Sequence, residues 1–213
     1  MKYFVTSDTH FGHANIIKYC ARPFRDVNQM DVRIIKNWNE RVKPEDTVFH
    51  LGDFQFKNSA GGNQNEGQVL ASKDFYWKQL NGRIYHISGN HDGNNAMKSI
   101  ITHMVVEFGG LHICLVHDPA EFMESVYPAR GGEIDVVFCG HVHQNWKHIW
   151  RGMSLQYLII NVGVDVWKFM PMEIGEILGY YTKVVREQVT YQQRTEHNAR
   201  MAANYNKGVE QNV

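Results

Sequence analysis

The 213-residue sequence has no apolar run of eighteen residues, no Cys-x-x-Cys pair and no excess of either charge sign. The first absence argues against a spanning helix. The N-terminus, MKYFVTSD, lacks a cationic region followed by a long apolar stretch, so no secretory signal is expected and the chain reads as cytoplasmic. Cys20, Cys114 and Cys139 are odd in number and widely spaced, which speaks against a disulfide framework or a zinc ribbon and leaves them as small buried hydrophobes. Lys and Arg number 22, as do Asp and Glu, so the protein's field gathers neither long nucleic acid nor an anionic membrane. What the chain has in quantity is histidine. There are 12, and seven of them (His10, His13, His50, His91, His117, His141 and His143) lie in short polar clusters.

Those clusters share a context. Apolar runs of strand length, Tyr3–Thr6, Thr47–Leu51, Ile84–Ile87, Ile113–Val116 and Val136–Cys139, each end in one of them: Ser7-Asp8-Thr9-His10, Gly52-Asp53, Gly89-Asn90-His91-Asp92, His117-Asp118 and Gly140-His141-Val142-His143. A sixth run, Tyr157–Ile160, leads into Asn161-Val162-Gly163. Between the runs, Val27, Met30, Ile34, Trp38 and Val42 recur at helical spacing and predict one apolar helical face. Weaker helical spacing covers Val69–Leu80 and Ile174–Tyr181, and Val105–Val116 predicts a hairpin around Gly109-Gly110. Strands mixed with helices make this an α/β chain. Residues 55–67 are rich in Gly, Asn and Gln and read as a mobile loop beside the site.

An isolated Asp-x-His pair is weak evidence, since chance supplies about half of one in a chain of this composition. Gly-Asn-His-Asp is far more specific, with an expectation of about 0.004. In open α/β sheets ligands bind beyond the strand ends, so separate clusters can meet there. Asp8, His10, Asp53, Asn90, His117, His141 and His143 offer two carboxylates, one amide oxygen and four imidazoles, a set suited to Mn, Fe, Zn or Ni. Seven ligands are too many for one tetrahedral ion, and two divalent ions would use them all. Two such ions against two carboxylates leave the site positive, which favours an anionic substrate such as a phosphate ester.

The ordered set Asp8-x-His10, Gly52-Asp53, Gly89-Asn90-His91-Asp92, His117 and Gly140-His141-x-His143 resembles the calcineurin-like metallophosphoesterases, and SDTHFGHANIIKYC-RPF with HLGDF looks like their small, single-domain bacterial and phage-encoded members. The resemblance implies a four-layer sandwich of two mixed β-sheets flanked by helices, over residues 1–182, with a polar C-terminal helix or tail over 183–213. It implies one ion on Asp8, His10, Asp53 and His143 and a second on Asp53, Asn90, His117 and His141, with Mn²⁺ the leading identity and Fe, Zn or Ni as alternatives. His91 would face the substrate phosphate as a catalytic residue, with Asp92 orienting it, while a hydroxide bridging the ions attacks in line. The expected activity is hydrolysis of small phosphomonoesters or phosphodiesters, with nucleotides among the candidate substrates. A nuclease or cyclic-nucleotide phosphodiesterase is the alternative, and a non-catalytic scaffold a further one. The sequence lacks the Asp-Arg-Gly that protein phosphatases and dinucleoside tetraphosphatases of this superfamily carry after Gly-Asp. His13, Asn15 and Arg22 are candidate substrate contacts, Arg22 by forking onto phosphate. His50, His86, His103, His112, His148 and His197 read as structural, and Asn161 as a tie at a strand end.

Overall fold

The computed structural model describes residues 1–56, 75–92, 99–151 and 157–210. In chain order the elements are β1 (Tyr3–Thr6), α1 (Ala14–Tyr19), α2 (Val27–Arg41), β2 (Thr47–His50), β3 (Arg83–His86), β4 (His103–Phe108), β5 (Leu111–Val116), α3 (Pro119–Glu121), α4 (Tyr127–Arg130), β6 (Val136–Cys139), β7 (His148–Arg151), β8 (Tyr157–Asn161), β9 (Met172–Glu173) and α5 (Ile174–Glu210). A π-helical turn, Phe122–Val126, joins α3 to α4. The chain divides into two compact units, Met1–Ile174 and Gly175–Val213. The limit expected at residue 182 falls inside α5, a helix of 37 residues. No helix among the described residues is long and apolar enough to cross a membrane. The loop expected over 55–67 lies outside the described residues from position 57 onward, and of the helix expected over 69–80 the described part is a single 3₁₀ turn, Trp77–Gln79.

Helix α2 follows from its sequence. Asp26 caps it by accepting a hydrogen bond from the Gln29 N–H at 2.8 Å. Val27, Met30, Ile34 and Trp38 form one buried stripe. That stripe packs with Phe4 of β1 and Val48 of β2 in one apolar cluster. A second cluster joins Cys114 and Val116 of β5, Val137 and Cys139 of β6 and Ile159 of β8 to Phe122 and Val126 of the π-helical turn.

Both sheets are mixed. The first has the order β3-β2-β1-β9, parallel except for β9, and the second β4-β5-β6-β8-β7, with β5, β6 and β8 parallel. Because side chains alternate along a strand, Val5 and Phe49 point away from α2, while Leu115, Phe138 and Ile160 point away from the π-helical turn. All five are buried, and Tyr3 of β1 meets Phe108 of β4 edge to face at 6.0 Å, so these faces form the interior between the sheets. The layers therefore run helix, sheet, sheet, helix, as expected. Gly109 (φ 60°) and Gly110 (φ 77°) turn the β4–β5 hairpin, where both central residues need positive φ.

The parallel strands of each sheet end on one side, and the two sets of ends meet. Ser7, just past β1, bridges in parallel to Gly163, just past β8, and the Val164 N–H donates to the Ser7 carbonyl at 3.0 Å.

Candidate metal centre

Parallel register brings the polar clusters together. Thr6 pairs with His50 and His50 with His86, so the chain leaves β1, β2 and β3 side by side. The loops stay linked past the strand ends: the Asp8 N–H donates to the Gly52 carbonyl at 3.1 Å and the His10 N–H to the Asp53 carbonyl at 3.0 Å. Across the sheets, the His141 N–H donates to both Asp8 carboxylate oxygens at 3.1 and 3.0 Å.

Among the described residues eight non-glycine residues have positive φ, and five of these are candidate ligands: Asp8, His10, Asp53, His141 and His143. Each such residue costs about 1–2 kcal/mol of backbone strain, which the surrounding bonds must hold. Gly52 (φ 91°) is required for a second reason, because a Cβ there would lie 2.6 Å from the Gly89 Cα and 2.7 Å from His117 Nδ1.

Three donor groups result among the described residues, one of them Cys20, His143 and Asp165. Asp8, His10 and His143 each place a ligand atom within 4.8 Å of the others, and Asp8, Asp53 and His117 do the same. Asp8 is common to these two groups, and the Asp53 Oδ2 lies 3.5 Å from His10 Nε2 of one and 3.4 Å from His117 Nε2 of the other. Asn90 Oδ1 is 2.9 Å from His117 Nε2 and 3.1 Å from His141 Nδ1. All seven residues expected as ligands are thus neighbours in one cluster.

The donors fit divalent cations. His10 Nδ1 is 3.3 Å from His13 Nδ1, and its Nε2 is buried with no hydrogen-bond partner. His117 Nδ1 is 2.7 Å from the Leu51 carbonyl; an N–H there leaves Nε2 as a lone pair toward Asp53 and Asn90. His143 Nδ1 meets Asp165 Oδ2 at 3.0 Å, the carboxylate support that ligating histidines commonly have.

Electrostatics agree. Burial pushes the Asp8 carboxyl up, although His117 and His143 pull it down. Burial also raises Asp53, but the hydrogen bond and charge of His117 outweigh it and hold the group below its ordinary value. Burial keeps His10 well below its ordinary value, hence neutral, with the Arg22 charge adding to the effect. For His117 burial acts downward, yet Asp53 and Asp8 prevail and lift it to about 9; for His143 burial is likewise overcome, chiefly by Asp165, and the value rises to about 10. The carboxylates thus draw positive charge into the cluster, and a divalent cation displaces such protons.

The remaining candidates divide. The His91 N–H donates to Asp53 Oδ1 at 2.9 Å, and its ring lies 5.7 Å from that of His10, at the mouth of a cleft of about 280 Å³. His13 lines the same cleft, and burial lowers its imidazole to about 4. Asn15 is exposed on α1 and does not line the cleft.

Arg22 is not free to fork onto phosphate. Its five N–H groups are engaged: Nε and Nη2 with the Asp165 carboxylate at 2.8 and 2.9 Å, Nη2 also with the Asp8 carbonyl at 2.7 Å, and Nη1 with the Thr9 carbonyl and Met30 Sδ. Its side chain is buried, so it holds the Asp8–Thr9 backbone and Asp165 in place. The described contacts of Asp92 are with the loop backbones and His86 rather than with the His91 ring. Its carboxylate accepts from the backbone N–H groups of Asp53, Phe54 and Gly89 and pairs with His86 Nε2 at 2.9 Å, bracing the loops. Burial would raise its pKa, but the His86 bond and those N–H groups bring it to about 2.

Asp165 was missed in the sequence, although it too follows a strand-end cluster, Asn161-Val162-Gly163. His50 is a core residue, 3.0 Å from the Thr9 hydroxyl, and Asn161 ties the strand end by donating to the His143 and Trp146 carbonyls.

The chain matches the model of the calcineurin-like phosphoesterase superfamily domain over residues 1–171. It is 34% identical to an uncharacterized protein of Methanocaldococcus jannaschii, across 83% of this chain and 89% of that one. It is 30% identical to the Gene 66 protein of Mycobacterium phage L5, across 76% and 86%. The crystal structure of a protein of unknown function from Aquifex aeolicus is similar with a TM-score of 0.61 and 26% identity, covering 84% of this chain and 98% of that one.

Proposed function

Since the chain belongs to the calcineurin-like phosphoesterase superfamily, we propose that it is a dinuclear metal-dependent phosphoesterase that hydrolyses small phosphomonoesters or phosphodiesters. The observation that carries this reading is the position of the Asp53 carboxylate, within 3.5 Å of His10 of one donor group and of His117 of the other. Asp8, His10, Asp53 and His143 would hold one ion, and Asp53, Asn90, His117 and His141 the other, with Mn²⁺ the first candidate. Bound divalent ions supply Lewis acidity toward a phosphoryl oxygen and lower the pKa of water.

The chain's own residues do the rest. His91, placed by its backbone bond to Asp53, is exposed at the rim, where its ring can hydrogen-bond a phosphate oxygen or give a proton to the leaving oxygen. Asp165 fixes the His143 ring, and Arg22 fixes Asp165 and the backbone of Asp8. Asp92 ties the loop after β2 to the loop after β3, and so sets Asp53 against Asn90.

The test is turnover of bis-p-nitrophenyl phosphate and p-nitrophenyl phosphate by the purified chain with Mn²⁺. The expected result is metal-dependent hydrolysis of at least one, lost in Asp53→Asn and cut about a hundredfold or more in His91→Ala. No metal-dependent turnover of either would leave the scaffold reading in its place.

A further inference from the structure

The cleft beside the metal-ligand cluster has two chemically different ends. His10 and His143 line the inner end, where the ligand cluster lies, and the exposed His91 stands at its rim. Outside the ligand cluster, at the outer end, the lining includes Ile16 and Tyr19 of α1 and Gln144 and Asn145 of the loop after β6. Tyr19 is 71% exposed, so a face of its ring is open to a ligand in the cleft. It stands edge-on to His13, and the His13 ring is stacked on Phe56 with centroids 4.1 Å apart, so the aromatic wall is backed by a packed pair. In the same cleft, the side-chain amides of Gln144 and Asn145 are exposed and have no hydrogen-bond partner among the described residues.

We propose that this outer end binds the base of a nucleotide, with Tyr19 stacking on its face and the Gln144 and Asn145 amides reading its polar edge. The inference rests on the phosphoesterase reading, which places the phosphate at the inner end. A lipid chain would leave the two amides unpaired, at a cost for each, and an inorganic phosphate would leave the outer end empty. A flat ring with donors and acceptors on its rim uses the aromatic wall and the amides together. Amides offer both a donor and an acceptor, so they suit a base edge.

Calorimetry of the full chain loaded with Mn²⁺ tests this without relying on turnover. The probes are adenosine 5′-monophosphate, ribose 5-phosphate and inorganic phosphate. One base stacked on one aromatic ring is worth about fivefold to a hundredfold in affinity, so adenosine monophosphate should bind tighter than ribose 5-phosphate by about that ratio. Tyr19→Ala should bring the ratio to about two or below, Tyr19→Phe should keep it, and Gln144→Ala with Asn145→Ala should lower it with the ring intact. A wild-type ratio below about two, a ratio untouched by Tyr19→Ala, or no binding of adenosine monophosphate at millimolar concentration overturns the proposal. Hydrolysis of bis-p-nitrophenyl phosphate by the same preparation separates the two ideas: turnover without base preference removes only the base site, and base preference without turnover removes only the hydrolase reading.

Discussion

Asp31 gives a pH-dependent stability that can be isolated from every other titration in the molecule. It sits on α2, 6% exposed, where its carboxylate accepts the Gly12 N–H at 3.1 and 3.2 Å and the Tyr76 hydroxyl at 2.7 Å. Burial raises its pKa from 3.8 to about 7, with the Tyr76 and Gly12 bonds and the Arg22 charge only partly opposing it. The folded value lies above the unfolded one, so this group's contribution to stability is fully present below about pH 4 and is lost as pH rises through about 7. The gap between 3.8 and about 7, at about 1.4 kcal/mol per pH unit, amounts to about 4 kcal/mol. Asp31→Asn removes the titration while keeping an acceptor for Gly12 and Tyr76. Urea unfolding of both proteins, with chelator, at pH 4, 5, 6, 7 and 8 measures the effect, because the other groups cancel in the difference. The stability of the wild type relative to Asp31→Asn should fall by about 4 kcal/mol between pH 4 and pH 8. A difference constant to within about 1 kcal/mol over that range would refute the reasoning.

Asp165→Asn should weaken Mn²⁺ affinity about ten- to hundredfold in calorimetric titration, because the His143 ring loses its carboxylate support; an unchanged affinity would contradict that role. Trp38→Ala should cost about 3–5 kcal/mol in urea unfolding, since its ring is fully buried and its Nε1–H donates to the Asn81 carbonyl at 2.9 Å; a loss below about 1.5 kcal/mol would mean that the α2 face is not a packed core.

Local chemistry that repeats along the chain was legible in the sequence. The stripe Val27-Met30-Ile34-Trp38 gave α2, and the buried parallel strands showed as short apolar runs ending in polar clusters. The seven candidate ligands could be read because their side chains cluster at those ends. Strand β7 was not legible: His-Ile-Trp-Arg is half-buried and neither alternates cleanly nor forms an apolar run. Two-residue β9 carries too little pattern to detect. Helix α1 is one short turn and a half, ending beside the cleft, without an acidic first turn or a side-chain cap. The roles of Arg22 and Asp92 were misread for one reason. A charged residue near a site looks like a substrate or catalytic contact in sequence, and only the packing reveals that it is engaged by the ligand-loop backbone together with side chains such as Asp165 and His86. Asp165 was missed because its partners, Arg22 and His143, are far away in the chain.

The manganese content of the purified chain after saturation with Mn²⁺ and removal of the free ion tests most directly whether these dispersed side chains form one dinuclear site. The account predicts two ions per chain, falling to one or fewer in Asp53→Asn. One ion or fewer per chain in the wild type would contradict it.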